Sequence, residues 1–347
     1  MTLLQGTKSI ETVEQLDDLL SAPTEPVIEM MSRLEGDIIL LGVGGKIGPS
    51  LARMARRATD LAGVERRVIG VSRFSSLQEE QNLRAHGVET IRCDLLVEEG
   101  LAKLPSVPNV IYLAGLKFGS SGNESETWAM NSYLPGRVCR AFSSSRFVVF
   151  STGAVYGLTP WTAGGSREVD TPRPVGEYGM SCLGRERVFE YFSRSSKMPM
   201  SIIRLFYACE VRYGVLVDLA RKIAAEEPID LSMGHFNIIW QGDSNAAALL
   251  SLDHAAVPPF VLNLTGPELL SVREVSLELG RRLGKKPKFC GAELETTCIG
   301  NAGVAHSKFG LPTVEAARVL EWVAEWVKIG GVHLDKPTHF EARDGRY

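Results

Sequence analysis

"DIILLGVGGKIG", residues 37–48, joins an apolar run to a glycine-rich loop. A short apolar run ending in glycine suits a strand buried on both faces of a parallel sheet. Gly42, Gly45 and Gly48 then follow as G-x-x-G-x-x-G, and a helix is predicted from about Lys46 to Leu61. Glycine permits the tight turn and lets the backbone approach a pyrophosphate. The helix N-terminus presents unpaired amides and the positive end of its dipole to the same group. Glycines at this spacing occur in ordinary turns as well, but the strand–loop–helix context points to a dinucleotide site contacted by Gly42, Gly45, Lys46, Ile47 and Gly48.

The alternation continues outward. Strands are predicted at "RRVIGVS", "VETIRCD", "NVIYLAG", "RFVVFST" and "MSIIRLF", with helices at "SLQEEQNLRAHG", "ETWAMNSYLPGRVCRAFSS" and from near Tyr178 to about Ser195. Strands alternating with helices imply an α/β fold with a doubly wound, Rossmann-like parallel sheet. Residues 1–36 read as an appended helical cap, with Ser21 and Thr24 as helix-start signals, and 37–213 as the dinucleotide-binding domain. Residues 214–347 read as a smaller mixed α/β substrate region interleaved with the end of the sheet. The terminal "DKPTHFEARDGRY" has no periodicity and reads as a loose tail.

Composition narrows the function. The chain has 347 residues, 44% hydrophobic and 23% charged, with a net charge of −3 and no long charge runs. That argues against a nucleic-acid or anionic-membrane surface. No apolar run approaches the roughly 20 residues of a membrane helix. The acidic N-terminal stretch lacks the positive charge of a signal peptide. The six cysteines are scattered and read as reduced thiols, so a cytoplasmic protein is expected. Neither they nor the six histidines form a ligand motif, and no metal is expected.

The second strand ends "VIGVSRF", with Ser72 and Arg73 where an NAD site usually offers an acid to the ribose 2′-hydroxyl. A hydroxyl and a guanidinium suit a 2′-phosphate, so NADP(H) is favoured over NAD(H). Arg73 as a solvated surface residue is the plainer alternative.

From about Asp37 to Trp326 the chain resembles the extended short-chain dehydrogenase/reductases, the NAD-dependent epimerase/dehydratase group. The motifs agree in order and spacing. "RCDL" matches a segment whose Asp94 and Leu95 would contact the adenine. "YLAGLK", with Ala114, Gly115 and Lys117, matches the loop beneath the cofactor and looks especially like that of UDP-galactose 4-epimerases. "MNSY" supplies Asn131 at the position of the family's structural asparagine. "VVFSTGAVYG" matches the catalytic-hydroxyl strand, giving Thr152 with Ser151 beside it. "EYGMSCLGRE" matches the Tyr-x-x-x-Lys helix, giving Tyr178 as the acid/base. The resemblance implies hydride transfer from a secondary alcohol of a sugar, sugar-nucleotide or sugar-acid-like substrate, with Thr152 and Tyr178 handling the proton. It also implies a homodimer built on the helices from about residues 124 and 178, where Val188, Phe189, Tyr191 and Phe192 suit either a dimer or the chain's own sheet.

The chain departs from the family at Cys182, which replaces the lysine. That lysine holds the nicotinamide ribose and lowers the tyrosine pKa. A unit charge about 4–5 Å away, at an effective dielectric near 20, is worth roughly 3–4 kcal/mol. Three replacements are available: Lys117, ranked first, Arg185, and the positive charge of the oxidised nicotinamide. Cys182 itself is a candidate thiolate, or a small buried hydrophobe in the lysine's space. Tyr207 stands where the family usually has an asparagine near a sugar-nucleotide diphosphate. Asp243 is present without the arginine that often precedes it. Gly153 and Ala154 replace the Asp-Glu pair of 4,6-dehydratases, which disfavours that elimination. The competing reading is a catalytically weak or inactive NADP(H)-binding regulatory or structural protein of the same fold.

Overall fold

A computed structural model describes residues 7–117, 119 and 121–346. Seven parallel strands form the central sheet: β1 (Ile38–Leu41), β2 (Val68–Ser72), β3 (Glu89–Arg92), β4 (Asn109–Tyr112), β5 (Arg146–Thr152), β6 (Met200–Leu205) and β7 (Phe260–Leu264). Their spatial order is β7-β6-β5-β4-β1-β2-β3. The chain reverses direction across the sheet between β1 and β4, and such a switch point opens a crevice at the carboxyl ends of the strands. β1 and β4 are buried along their whole length, which is why they read as continuous apolar runs.

Helices cover both faces. Val27, Met30, Leu51 and Leu249 pack on one; Leu134, Val138 and Phe189 pack on the other. Phe189 is fully buried against Tyr112 and Phe147, whereas Tyr191 is 65% exposed. A third core gathers Leu219, Trp240, Leu279 and Trp322 from the region after residue 214, which also contributes β7 to the main sheet.

The N-terminal helices Val13–Leu20 and Glu25–Arg33 are integral to these cores. Leu16 and Leu20 are fully buried, and the Leu20 carbonyl accepts from Asn245 at 3.0 Å. Thr12, whose hydroxyl accepts from Gln15 N, caps the first helix; Ser21 ends it, and Thr24 precedes the second. The helical stretch 124–141 contains a π turn at Ala129–Tyr133. Pro135 has no N–H to give the Asn131 carbonyl, so the regular ladder is interrupted there.

The terminal segment is irregular but pinned, contrary to the loose tail expected from its lack of periodicity. Thr338 donates through N and Oγ1 to Asp218 at 2.8 and 2.6 Å. Phe340 is buried beside Phe236. Arg343 donates to the carbonyls of Ser232 and Thr296. Isolated anchors of this kind leave no periodic signal. No helix among the described residues is long and apolar enough to cross a membrane.

Candidate active site

At the switch point lies a cleft of about 530 Å³. The glycine loop forms its floor. Gly42 has φ +93°, and a Cβ there would lie 2.7 Å from the Ala114 nitrogen. A Cβ at Gly48 would overlap the Val43 carbonyl oxygen, and one at Gly44 would meet Ser72 Oγ at 2.5 Å. Gly45 differs: a Cβ there would meet only the Gly42 oxygen, at an ordinary 3.5 Å. Gly42 and Gly48 are therefore required by the protein's own packing, Gly44 is crowded only by the rotatable Ser72 hydroxyl, and Gly45 faces open cleft. Helix Gly48–Leu61 begins directly behind the loop with proline in its first turn, so its N-terminal amides face the same space.

Among the described residues five cationic side chains line the cleft, Lys46, Arg73, Lys117, Arg185 and Lys336, and no carboxylate does. Lys46 Nζ donates to the Ala208 carbonyl at 2.6 Å and stands 3.8 Å from the centre of the Tyr213 ring. Lys117 Nζ donates to the Thr338 carbonyl at 3.1 Å. Burial lowers both lysines from their ordinary range to about 8; each also feels carboxylates that oppose the shift, and Lys46 feels the Lys117 charge, which reinforces it.

Thr152 and Tyr178 both line the cleft. Thr152 ends β5, and its Oγ1 accepts from Ala154 N at 3.2 Å. Tyr178 stands in the first turn of helix Gly176–Ser196, where the positive helix terminus favours a phenolate. Cys182 is fully buried behind it, hydrogen-bonded to Tyr178, and burial pushes its thiol up. It is thus a neutral filler of the lysine's space. Arg185, one turn further, is buried and lines the cleft.

Ser151 touches the cleft, but its hydroxyl donates to Glu186 Oε1 at 2.5 Å. Glu186 in turn is ion-paired with Arg204 at 2.7 Å, and Arg204 donates to the Tyr156 hydroxyl. Ser151 therefore belongs to a buried structural network. Asn131 accepts from Leu116 N at 2.9 Å and donates to Leu116 O and Ser181 Oγ, fixing the loop after β4 to the helix that carries Tyr178.

Gly115 and Tyr207 also line the cleft; Ala114 lies just behind it, packed against Gly42. Ser72, Asp94 and Leu95 are not among its lining residues. Ser72 Oγ accepts from Phe74 N, and Asp94 Oδ1 from Leu96 N. Ser72 ends β2 beside Gly44, and Asp94 and Leu95 follow β3. The structure does not bring Asp243 to the cleft. Its carboxylate accepts from Thr313 Oγ1 and Val314 N at 2.7 and 3.1 Å, beside a separate small cavity lined by Thr24 and Pro26. The helix that carries it, Gln241–Leu250, packs against the N-terminal helices instead. Cleft residues that sequence reasoning missed include Gly44, Tyr213, Cys298, Lys336 and Thr338. Gly44 was legible in the loop itself. The others come from segments whose approach to the cleft only the tertiary fold defines. Among the described residues no group of three His, Cys, Asp or Glu is arranged to hold a metal ion.

No curated protein sequence matches the chain. Solved structures of similar fold include UDP-glucuronic acid 4-epimerase from Bacillus cereus with NAD (TM-score 0.70, 20% identity, covering 84% of this chain and 96% of that one). The dTDP-glucose 4,6-dehydratase DesIV from Streptomyces venezuelae aligns with a TM-score of 0.71 at 17% identity, over 84% of this chain and 97% of that one. MoeE5 in complex with UDP-glucuronic acid and NAD aligns with a TM-score of 0.66 at 23% identity, over 85% and 100%. The family model described as NAD dependent epimerase/dehydratase matches residues 38–234, more than half the chain, and it is to this family that the protein belongs.

Proposed function

We propose that the protein is a nicotinamide-dinucleotide-dependent oxidoreductase or epimerase acting on a secondary alcohol of a sugar, sugar-nucleotide or sugar-acid-like substrate. One observation carries the reading. Among the described residues a glycine cradle, the Thr152 and Tyr178 hydroxyls and five cations share a single cleft without a carboxylate. That set suits a doubly anionic dinucleotide and an anionic or hydroxyl-rich substrate.

The cradle fits a pyrophosphate. Gly42 and Gly48 have no room for side chains, Gly45 leaves backbone accessible, and a helix N-terminus stands behind them. Gly42, Gly45, Lys46, Ile47 and Gly48 would hold that group. Arg73 lines the cleft, and its guanidinium would suit a ribose 2′-phosphate, which supports NADP(H) over NAD(H). A bound nicotinamide supplies the hydride acceptor. The protein's own part is proton handling: Thr152 Oγ1 orients the substrate oxygen and Tyr178 takes its proton. Lys117 and Lys336 favour substrates bearing a carboxylate or phosphate. The homodimer belongs to the same proposal. Tyr133, Met180 and Tyr191, on the two helices concerned, are 63%, 45% and 65% exposed.

The neutral Cys182 favours a second reading, in which the cleft binds a dinucleotide without turnover. A panel of sugars, sugar acids and sugar nucleotides, assayed with both dinucleotides, separates the two. The proposal expects turnover that Tyr178→Phe reduces by about 10²–10⁴, the usual effect of losing an acid/base group. Tight dinucleotide binding with no hydride exchange across the panel would favour the binding role. Turnover unaffected by Tyr178→Phe would remove the assigned site.

A further inference from the structure

Residues 178, 182 and 185 are spaced four and three apart on helix Gly176–Ser196, so their side chains share one face. The middle position is the neutral Cys182. Arg185 is 6% exposed yet reaches the cleft. Two acceptors fix its guanidinium. Nη1 donates to the Phe150 carbonyl at 2.8 Å, immediately before Ser151 and Thr152 on β5. Nη2 donates to Asn131 Oδ1 at 2.5 Å, the oxygen that also holds the Leu116 amide. Its Nε has no partner among the described residues. Gly115 makes the space, because a Cβ there would overlap the guanidinium.

Among the described residues no carboxylate forms an ion pair with this cation, although the Glu186 charge is within electrostatic reach. Glu186, the nearest acid on its own helix, gives its oxygens to Arg204 and Ser151. A buried charge without an ionic partner is expensive to hold, and two carbonyl-type acceptors compensate it only in part. The other groups facing it are Tyr112 from β4, the Cys182 thiol and the Tyr178 phenol, all within electrostatic reach. Lys117, on the loop after β4, also reaches Cys182.

We infer that Arg185 supplies, beside Tyr178, the positive charge that a lysine at the Cys182 position supplies elsewhere in the family. It acts through the phenol as a positioning residue and does not touch the reacting atoms. The inference rests on the reading of Tyr178 as the acid/base group. Lys117 is the rival, but the two cations behave differently with pH. Lys117 gives up its charge near 8, within the range where a tyrosinate must be maintained. A guanidinium keeps its charge throughout. Seven residues span about 10.5 Å of helix. At about 10 Å and an effective dielectric near 20, one charge shifts a neighbouring pKa by roughly one unit.

The test is a pH titration of Tyr178 by NMR in full-length protein with isotope-labelled tyrosine, the Tyr178→Phe variant identifying the resonance. It involves no substrate and no turnover, so its failure is distinct from failure of the proposed activity. Arg185→Gln keeps donors toward Phe150 and Asn131 while removing charge; Arg185→Met removes both. Either is expected to raise the Tyr178 midpoint by about one unit. Arg185→Lys should leave it near the wild-type value, and Cys182→Lys in the Arg185→Gln background should bring it back down. A midpoint unmoved by Arg185→Gln, or moved further by Lys117→Met, would overturn the inference. So would a wild-type midpoint at or above the ordinary value of about 10, a result that needs no variant to fold.

Discussion

Lys46 and Lys117 repel one another within the cleft, and burial holds each near 8. Below that pH both are charged in the folded and the unfolded chain, and the full burial penalty weakens the fold. Between about 8 and the ordinary 10.5 the folded state has released protons that the unfolded state still binds. Stability of the ligand-free protein is therefore expected to rise over that window. Anion binding has the opposite sign, because an anion favours the charged lysines. Dinucleotide affinity should fall as pH rises above 8, by up to about tenfold between pH 8 and 9 for each lysine that meets a phosphate. Calorimetric melting and binding titrations over the same pH series check both signs. A rise in affinity with pH would contradict the assignment.

The loop glycines give a second residue-scale expectation. Gly48→Ala should lower the melting temperature markedly, since its Cβ collides with backbone. Gly45→Ala should leave melting unchanged, because its Cβ meets nothing closer than 3.5 Å. The spacing G-x-x-G-x-x-G makes the two positions look alike. What separates them is the path of Val43, which only the folded loop defines. The same limit applied to Cys182. Spacing along the helix placed Arg185 on the right face, but not its burial or its anchors on Phe150 and Asn131.

At the scale of elements, helix Gly176–Ser196 and the segment after residue 334 both border the cleft. The segment supplies the Thr338 carbonyl to Lys117, and its Gly345 packs directly against Gly176, at the start of the helix that presents Tyr178. Its hold on the body includes Phe340, the Thr338–Asp218 pair and Arg343. Phe340→Ala is expected to destabilise the chain by about 3 kcal/mol, the lower part of the range for a buried phenylalanine. It should also raise hydrogen exchange over residues 336–346. Unchanged exchange there would mean that Phe340 is not the anchor. These contacts had no sequence signature, because an irregular segment pinned by a few side chains has neither the helical nor the strand period. The strands of the sheet were legible for the converse reason. Burial on both faces demands unbroken apolar runs, and "IILL" and "NVIY" supply them.

Across the whole molecule, one buried network crosses the seam between β5, the helix that carries Tyr178, β6 and β7. Ser151 and Arg204 meet on Glu186, Arg204 continues to Tyr156, and Tyr156 donates to Asn263 on β7 at 2.9 Å. Arg204 also lies 4.7 Å from the centre of the Tyr156 ring. The region after residue 214 is tied in this way to the strands that carry Thr152. Removing one partner would strand a buried charge, so Glu186→Gln is expected to cost about 3–5 kcal/mol in chemical unfolding. A loss under about 1 kcal/mol would show that the seam is held by apolar packing instead. The sequence motifs placed Ser151 with the catalytic hydroxyls because it adjoins Thr152. Both residues border the cleft, but the Ser151 hydroxyl is committed to Glu186, which leaves the Thr152 hydroxyl to serve it.

The central claim is that this cleft holds a nicotinamide dinucleotide on its glycine loop. The direct measurement is a fluorescence titration of NADPH, and of NADH, into wild-type protein and Gly45→Ala, with melting curves of both. The account predicts saturable binding to the wild type, tighter for NADPH, and its loss in Gly45→Ala at an unchanged melting temperature. Equal binding by the two proteins, or none by the wild type, would contradict it.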